Sequence, residues 1–134
     1  MALNNSTALR QANSQNRVTQ AGATAQWRVY NGVRPVGSGA VTGVNTLLAT
    51  LIAGATIGTA TNGALDIDEA GLTQTVGSHL NGTGTFIDLT TSAGVLVSRA
   101  DIGAGAGNVQ INGPVVTGQP VSFVAPATIT EGNV

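Results

Sequence analysis

From residue 64 onward the sequence alternates short β-prone runs with turn signals, and this alternation limits the fold more than any other feature. The turn signals include Thr61-Asn-Gly63 just before this part of the chain, Asn81-Gly82 and Asn112-Gly113, whose Asn and Gly residues tolerate the positive φ angles of tight turns. Candidate strands lie near residues 64–68, 72–76, 83–90, 94–100, 108–111 and 120–130. Short strands at this spacing predict an all-β protein, an antiparallel β-sandwich or jelly roll, with helix confined to the amino terminus.

The stretch Thr24–Gly32 gives the clearest single strand. Its two faces alternate, with Ala25, Trp27 and Val29 on one side and Gln26, Arg28 and Tyr30 on the other. This two-residue period is typical of a half-buried strand. Trp27 is the only tryptophan in a chain with 3% aromatic residues, so we expect it to be the main side chain of the core.

Two further runs leave alternatives open. Residues 45–53 are rich in Leu and Ile and fit either a strand or a helical turn, and the Thr and Gly residues that follow favour the strand. Pro126 lies in the middle of the last run and cannot donate to a ladder. It therefore predicts an edge strand there, or a bend between two sheets.

Residues 1–22 form a polar segment rich in Asn, Gln, Ser and Thr. Ser6 or Thr7 could cap a helix that runs to about Ala21, with Gly22 as its stop. The apolar face is too thin for a helix that is stable alone. The segment is then either an ordered arm docked on a partner, which we prefer, or a short helix against the sandwich of residues 23–134. As an arm, it would make intermolecular contacts through Leu3, Leu9, Arg10 and Arg17.

The composition excludes several classes of protein. Apolar residues make up 42% of the chain and charged residues 8%, so the chain should fold. The net charge of −1 argues against a nucleic-acid binder, which must neutralise several phosphates. The longest apolar-leaning stretch, Val44–Ala60, is interrupted by Asn, Thr and Gly and is too polar to cross a membrane. The first residues lack the features of a signal peptide, which predicts synthesis in the cytoplasm.

The same composition argues for protein partners. Most apolar residues are small or medium in size, and 19 glycines raise the entropic cost of folding. We therefore expect part of the stabilisation to come from contacts with other chains. Four of the five arginines precede residue 35 and every acid follows it. This segregation could arise by chance, or it could bring the amino-terminal segment onto an acidic surface of a neighbour.

The residue types that usually carry chemistry do not form a recognised site. His79 is the only histidine, lies beside a predicted turn, and is expected at the surface. The segment Asp66–Glu69 begins like a calcium loop but fails at Ala70 and Gly77, where ligands are required. The glycines of Gly103–Asn108 match no nucleotide-binding fingerprint. The sequence therefore predicts no catalytic residue, no cofactor and no metal.

The layout of the chain resembles a known family. A polar helix-like segment is followed by a strand with Arg28-Val-Tyr-Asn-Gly-Val-Arg-Pro35, an aliphatic Leu47-Leu-Ala-Thr-Leu51 strand, and a Gly/Thr-rich half ending in Pro126-Ala-Thr-Ile-Thr-Glu131. This arrangement is similar to small virion proteins of tailed bacteriophages, in particular the capsid cement or decoration proteins of short-tailed phages. The likeness spans nearly the whole chain and is one of layout and composition.

The resemblance implies a jelly-roll protein on the capsid surface of a virion, made in the host cytoplasm. Its partners would be the major capsid protein and further copies of itself, as a dimer or trimer, with no nucleic acid, membrane, cofactor or catalytic activity. The alternative is a tail or fibre domain of a phage virion that binds a host surface glycan.

Overall fold

The computed structural model describes residues 6–103, 109–124 and 128–130. In this part of the chain the helix α1 spans Thr7–Ala21 and a 3₁₀ turn spans Val76–Ser78. The strands are β1 Gln26–Tyr30, β2 Leu47–Ile52, β3 Gly58–Thr61, β4 Ala64–Ile67, β5 Thr73–Gln74, β6 Phe86–Thr90, β7 Leu96–Asp101 and β8 Thr128–Thr130. The described part of the chain is therefore β-rich with one α-helix near its amino-terminal end, as the sequence predicts.

The strands form two antiparallel sheets. The larger has the order β5-β2-β1-β6-β7, and the smaller has the order β3-β4-β8. β1 lies at the centre of the larger sheet, where Trp27 is opposite Leu51 of β2 and Leu89 of β6. The strand predicted from the alternation around Trp27 is thus the strand on which the larger sheet is built.

Both sheets share one hydrophobic core. Trp27 is buried in it and packs edge-on against Phe123, with ring centroids 5.5 Å apart. The cluster continues through Leu51 and Leu89 of the larger sheet to Leu65 and Ile129 of the smaller one. Because one continuous cluster contains side chains of both sheets, the two sheets are stabilised together.

The second face of β1 is more buried than its alternation predicts. Tyr30 shares the face of Gln26 and Arg28, yet it is buried and stacks on Phe86 with ring centroids 5.2 Å apart. The loop between β1 and β2 returns over this face of the sheet and contacts Arg99 beside Phe86. Because the loop that buries Tyr30 is held there by a residue distant in the sequence, no local sequence pattern indicates this burial.

The amino-terminal helix begins and ends where its capping residues predict. The Ser6 side chain accepts a hydrogen bond from the Leu9 amide at 3.2 Å, and Gly22 ends the helix with φ +70°. The helix packs against β3, β4 and β7 of its own chain, with Val18 against the core. The preferred prediction of an arm docked on a partner is therefore wrong for residues 7–21, which form the intrachain alternative.

A single glutamine fixes the helix to the smaller sheet. The Gln11 amide donates to the Ala60 carbonyl at 2.9 Å and accepts from the Gly63 amide at 3.0 Å. Gly63 and Asn62 both have positive φ, which is the geometry of a tight two-residue hairpin between β3 and β4. The sequence identified this turn and β4, but β3 on its other side was not predicted.

The remaining predicted strands are present in shortened form. The runs at 45–53, 72–76 and 83–90 contain β2, β5 and β6, and the run at 94–100 overlaps β7, which extends to Asp101. Near 108–111, Val109 and Ile111 make single bridges, and the run at 120–130 contains a bridge at Phe123 and the strand β8. Pro126 and most of the Gly103–Asn108 stretch lie outside the described residues.

Candidate functional site

The long connection between β1 and β2, residues 31–46, carries four exposed valines, and we call it the valine loop. Val33, Val36 and Val44 are 83%, 94% and 76% exposed, and Val41 also faces solvent. Single exposed apolar residues are ordinary on protein surfaces, but four on one loop are not. The loop lacks regular secondary structure, so its order must come from contacts with the rest of the chain.

Two asparagines close the base of the valine loop. The Asn31 amide donates to the Thr46 carbonyl at 3.1 Å, and the Asn31 side chain accepts from the Thr46 amide at 2.7 Å. The Asn45 side chain donates to the carbonyls of Asn31 and Val33 at 3.1 and 2.9 Å. Between them, Gly32 has φ +82°, and a Cβ there would lie 2.8 Å from the Val44 carbonyl. The base is a specific turn that a larger residue at position 32 would distort.

An arginine on β7 holds the middle of the valine loop. Nη1 of Arg99 donates to the carbonyls of Gly37 and Gly39 at 3.2 and 2.8 Å. Nearer the base, Arg34 forms an exposed ion pair with Asp101, also on β7, at 3.2 Å. The loop is therefore attached at its base and at its middle, while its valines remain in solvent.

The Arg99 side chain is itself fixed by a buried ion pair. Nε and Nη2 donate to the two carboxylate oxygens of Asp88 at 2.6 and 2.8 Å, and the two side chains are 5% and 7% exposed. Hydrogen bonding to Asp88 raises the pKa of Arg99 above its ordinary value, against the opposing effect of burial. The guanidinium also lies 5.4 Å from the Phe86 ring centroid. Bidentate pairing and burial make this a rigid attachment point for the loop.

A pocket of about 190 Å³ lies between the valine loop and the outer face of the larger sheet. Ala40 and Val41 of the loop form one wall, and Arg28, Asp88 and Arg99 of the sheet contribute polar groups to the other. These three charged residues are neighbours in the register of β1, β6 and β7. The loop surface and a charged pocket are therefore continuous.

A second pocket, of about 440 Å³, separates α1 from β7 and is lined mainly by polar side chains. Asn13, Asn16 and Gln20 lie on one face of the helix, and Thr91 and Ser98 lie on the opposite wall. Amides and hydroxyls in this arrangement can donate and accept hydrogen bonds with a polar ligand.

Three of the contact residues predicted from the sequence lie on α1. Leu9 is half-exposed on α1, and Arg10 packs its Cβ side against the hairpin at Gly63. Arg17 lines the pocket between α1 and β7, and Leu3 lies outside the described residues. A separate group of exposed apolar side chains lies on the valine loop. The sequence signal for this surface is the presence of four valines among the glycines of residues 31–46. The sequence alone does not show that Asn45 and Arg99 hold the loop in place.

The predicted surface position of His79 is wrong. The residue is 2% exposed, and its Nδ1 donates to the Gln119 carbonyl at 3.0 Å. Thr117 from the same covering segment donates its hydroxyl to the His79 carbonyl at 2.6 Å. The covering segment lies about forty positions later in the chain, so the local turn signal around His79 could not indicate burial.

In the segment Asp66–Glu69, Asp66 belongs to β4 and Asp68 follows that strand. Asp68 accepts a hydrogen bond from the Gly71 amide at 3.3 Å, and Asp66 and Asp68 are exposed. Among residues 6–103, 109–124 and 128–130, no three His, Cys, Asp or Glu side chains come together in a way that could hold a metal ion. Over those same ranges, no helix is both long and apolar enough to cross a membrane.

Comparison of the chain with protein-family models, with curated proteins and with solved structures finds no match.

Proposed function

We propose that the protein is a structural component of a phage virion, a cement or decoration protein with a jelly-roll fold that binds the outside of the capsid. In this role it stabilises contacts between major capsid protein subunits and associates with copies of itself as a dimer or trimer. Its work is done by binding, without catalysis or a cofactor. The valine loop is the contact surface for the partner.

The observation that carries the proposal is the combination of exposure and order in this loop. Val33, Val36 and Val44 are largely in solvent, while Asn45 and Arg99 hold the backbone that presents them. An ordered apolar loop loses little conformational entropy on binding, which favours affinity. The two antiparallel sheets and the resemblance in layout to cement proteins support the virion assignment.

The test is reconstitution of capsids that lack the protein. Purified wild-type protein is expected to bind at saturating stoichiometry and to raise the temperature at which the shells open. The triple variant Val33→Ser, Val36→Ser, Val44→Ser is expected to lose occupancy by tenfold or more, on the order of 1.4 kcal/mol, because most of the apolar contact is gone. These positions are solvent-exposed, so the fold should be unaffected.

The matched control carries Val116→Ser and Val124→Ser, two exposed valines outside the loop. It is expected to bind as the wild type does. Equal occupancy for all three proteins would contradict the role of the valine loop, and failure of the wild type to bind shells would contradict the capsid function itself.

A tail or fibre domain that binds a host glycan is the second candidate, and the polar pocket between α1 and β7 favours it. Its amides and hydroxyls suit the many hydroxyl groups of a sugar. Titration of host surface polysaccharide against wild-type protein and an Asn16→Ala variant tests this function. Saturable binding that the variant loses, with no capsid occupancy, would favour the glycan function over cement.

A further inference from the structure

We propose that the pocket beneath the valine loop receives a carboxylate side chain of the partner, bound by the free edge of the Arg28 guanidinium. The inference rests on the proposed function, because the partner is taken to be the protein segment that contacts the valine loop. It adds the chemistry of that segment: an acidic residue flanked by apolar side chains.

The hydrogen bonds of Arg28 leave most of its donors available. A guanidinium carries five N–H groups. Nε and Nη2 of Arg28 each donate one to the Gln26 side-chain oxygen, at 2.9 and 2.7 Å, which leaves three. In the part of the chain that the structure describes, no other acceptor lies within hydrogen-bonding distance of them. The edge formed by Nη1 and Nη2 therefore presents the fork that binds a carboxylate with two parallel hydrogen bonds.

The charge balance of the pocket also favours an anion. Its charged groups are Arg28, Arg99 and Asp88. Both oxygens of Asp88 are bonded to Arg99, so the buried carboxylate is neutralised by that arginine. The partner of Arg28 is the neutral amide of Gln26. One positive charge in the pocket is left without a paired acid, and a carboxylate from outside would compensate it.

The shape of the pocket leaves room at the guanidinium. Gly94 has φ +85°, and a Cβ there would lie 3.2 Å from Nη2 of Arg28. The absence of a side chain at this position keeps the space beside the guanidinium open. The pocket volume of about 190 Å³ accommodates a carboxylate group with a few waters. Ala40 and Val41 form its wall on the valine loop, so one partner segment can contact the valines and reach Arg28.

The experiment uses two capped peptides and the full-length protein. The probes are acetyl-Val-Glu-Val-amide and its neutral analogue acetyl-Val-Gln-Val-amide, with inorganic phosphate as a third titrant. NMR of the arginine Nε–H groups reports each guanidinium separately. The Glu peptide is expected to shift the Arg28 signal saturably, and the Gln peptide to bind roughly tenfold more weakly, because it lacks the charge-assisted hydrogen bonds.

Variants make the assignment specific. Arg28→Gln is expected to lose the preference for the Glu peptide, and Arg28→Lys to keep part of it, since the charge remains without the fork. Arg10→Gln, whose guanidinium donates to Thr7 on α1 away from the pocket, is the control and should behave as the wild type does. The comparison of the two peptides on wild-type protein stays informative even if a variant fails to fold.

Three outcomes would overturn the inference: equal binding of the two peptides, an Arg28 shift that does not saturate, or binding of phosphate but not of the Glu peptide. The capsid test is separate. If shells bind Arg28→Gln as well as the wild type but reject the valine variant, the proposed function stands and the carboxylate site is wrong. If shells bind neither the wild type nor the Arg28→Gln variant, but the Glu peptide still shifts the Arg28 signal of the wild type saturably, the carboxylate site stands and its partner is a protein other than the capsid.

Discussion

Arg99 and Asp88 lie opposite each other on β7 and β6 and share two hydrogen bonds of 2.6 and 2.8 Å in a nearly buried position. The same guanidinium donates to the backbone of the valine loop at Gly37 and Gly39. One ion pair therefore joins the larger sheet to the surface that we propose as the contact site. Its loss should affect both stability and loop order.

The variant Asp88→Asn tests this pair. The substitution keeps the size of the side chain but leaves the buried Arg99 charge without its partner, which typically costs about 3–5 kcal/mol. Because pairing raises the pKa of Arg99, the contribution of the arginine is present at every pH below its unfolded value and is lost only in strong alkali. Urea unfolding at neutral pH measures the change in free energy.

The control for the ion pair is Asp101→Asn, which breaks the exposed contact between Arg34 and Asp101. Surface pairs contribute about 0–1 kcal/mol, so the control should unfold close to the wild type. Equal losses in the two variants would show that the buried pair has no special role.

The variant Gln11→Ala should loosen the amino-terminal helix. It removes the two hydrogen bonds to Ala60 and Gly63 and is expected to cost about 1–3 kcal/mol. Hydrogen exchange of the α1 amides should accelerate more than exchange in β1. Gln15→Ala replaces an exposed glutamine of the same helix and should leave both rates unchanged. Unchanged protection of the α1 amides in Gln11→Ala would contradict the role of Gln11 in holding the helix against the smaller sheet.

The variant Gly63→Ala tests the tight approach of the helix to the β3–β4 hairpin. Gly63 has φ +82°, and a Cβ there would lie 2.7 Å from Cβ of Arg10. Backbone strain alone costs about 1–2 kcal/mol, and the contact adds to it. Thermal unfolding should show a clearly lower midpoint. Gly77→Ala, where a Cβ meets open space without a positive φ, should be neutral or stabilise by about 0.4–1 kcal/mol.

The variant His79→Phe keeps an aromatic side chain of similar shape but loses the Nδ1 hydrogen bond to Gln119. We expect a loss of about 1–3 kcal/mol, because the carbonyl loses its donor in a buried setting. Hydrogen exchange should increase around residues 115–119. The exposed neighbour Ser78 provides the control as Ser78→Ala. A His79→Phe protein as stable as this control would argue that the histidine only fills space.

The parts of the fold that the sequence predicts depend on local rules. Ser6 and Gly22 mark the ends of α1 because caps act within one helical turn. The burial of Trp27 follows from the two-residue period of its own strand. Asn62 and Gly63 identify their hairpin because both adopt positive φ.

The parts that the sequence does not predict depend on residues far apart in the chain. Tyr30 and His79 are buried by segments that no local pattern connects to them. The strand β3 is short and contains Gly58, which weakens its propensity. The order of the valine loop comes from Arg99, which lies 60 positions from Gly39. The glycines and Pro35 of residues 32–43 predict a loop, but they do not indicate what holds that loop in place.

The hydrogen bonds that Arg99 donates to the valine loop end on main-chain oxygens, those of Gly37 and Gly39. Every residue type carries such an oxygen, so the attachment does not depend on which side chains stand at positions 33, 36 and 44. Substitutions at these positions can change what the loop recognises while its shape is retained. The backbone of the valine loop is thus held by one set of residues, and the side chains that contact the partner are another set. When the partner's surface changes, substitution of a few valines is enough to restore a matching contact surface.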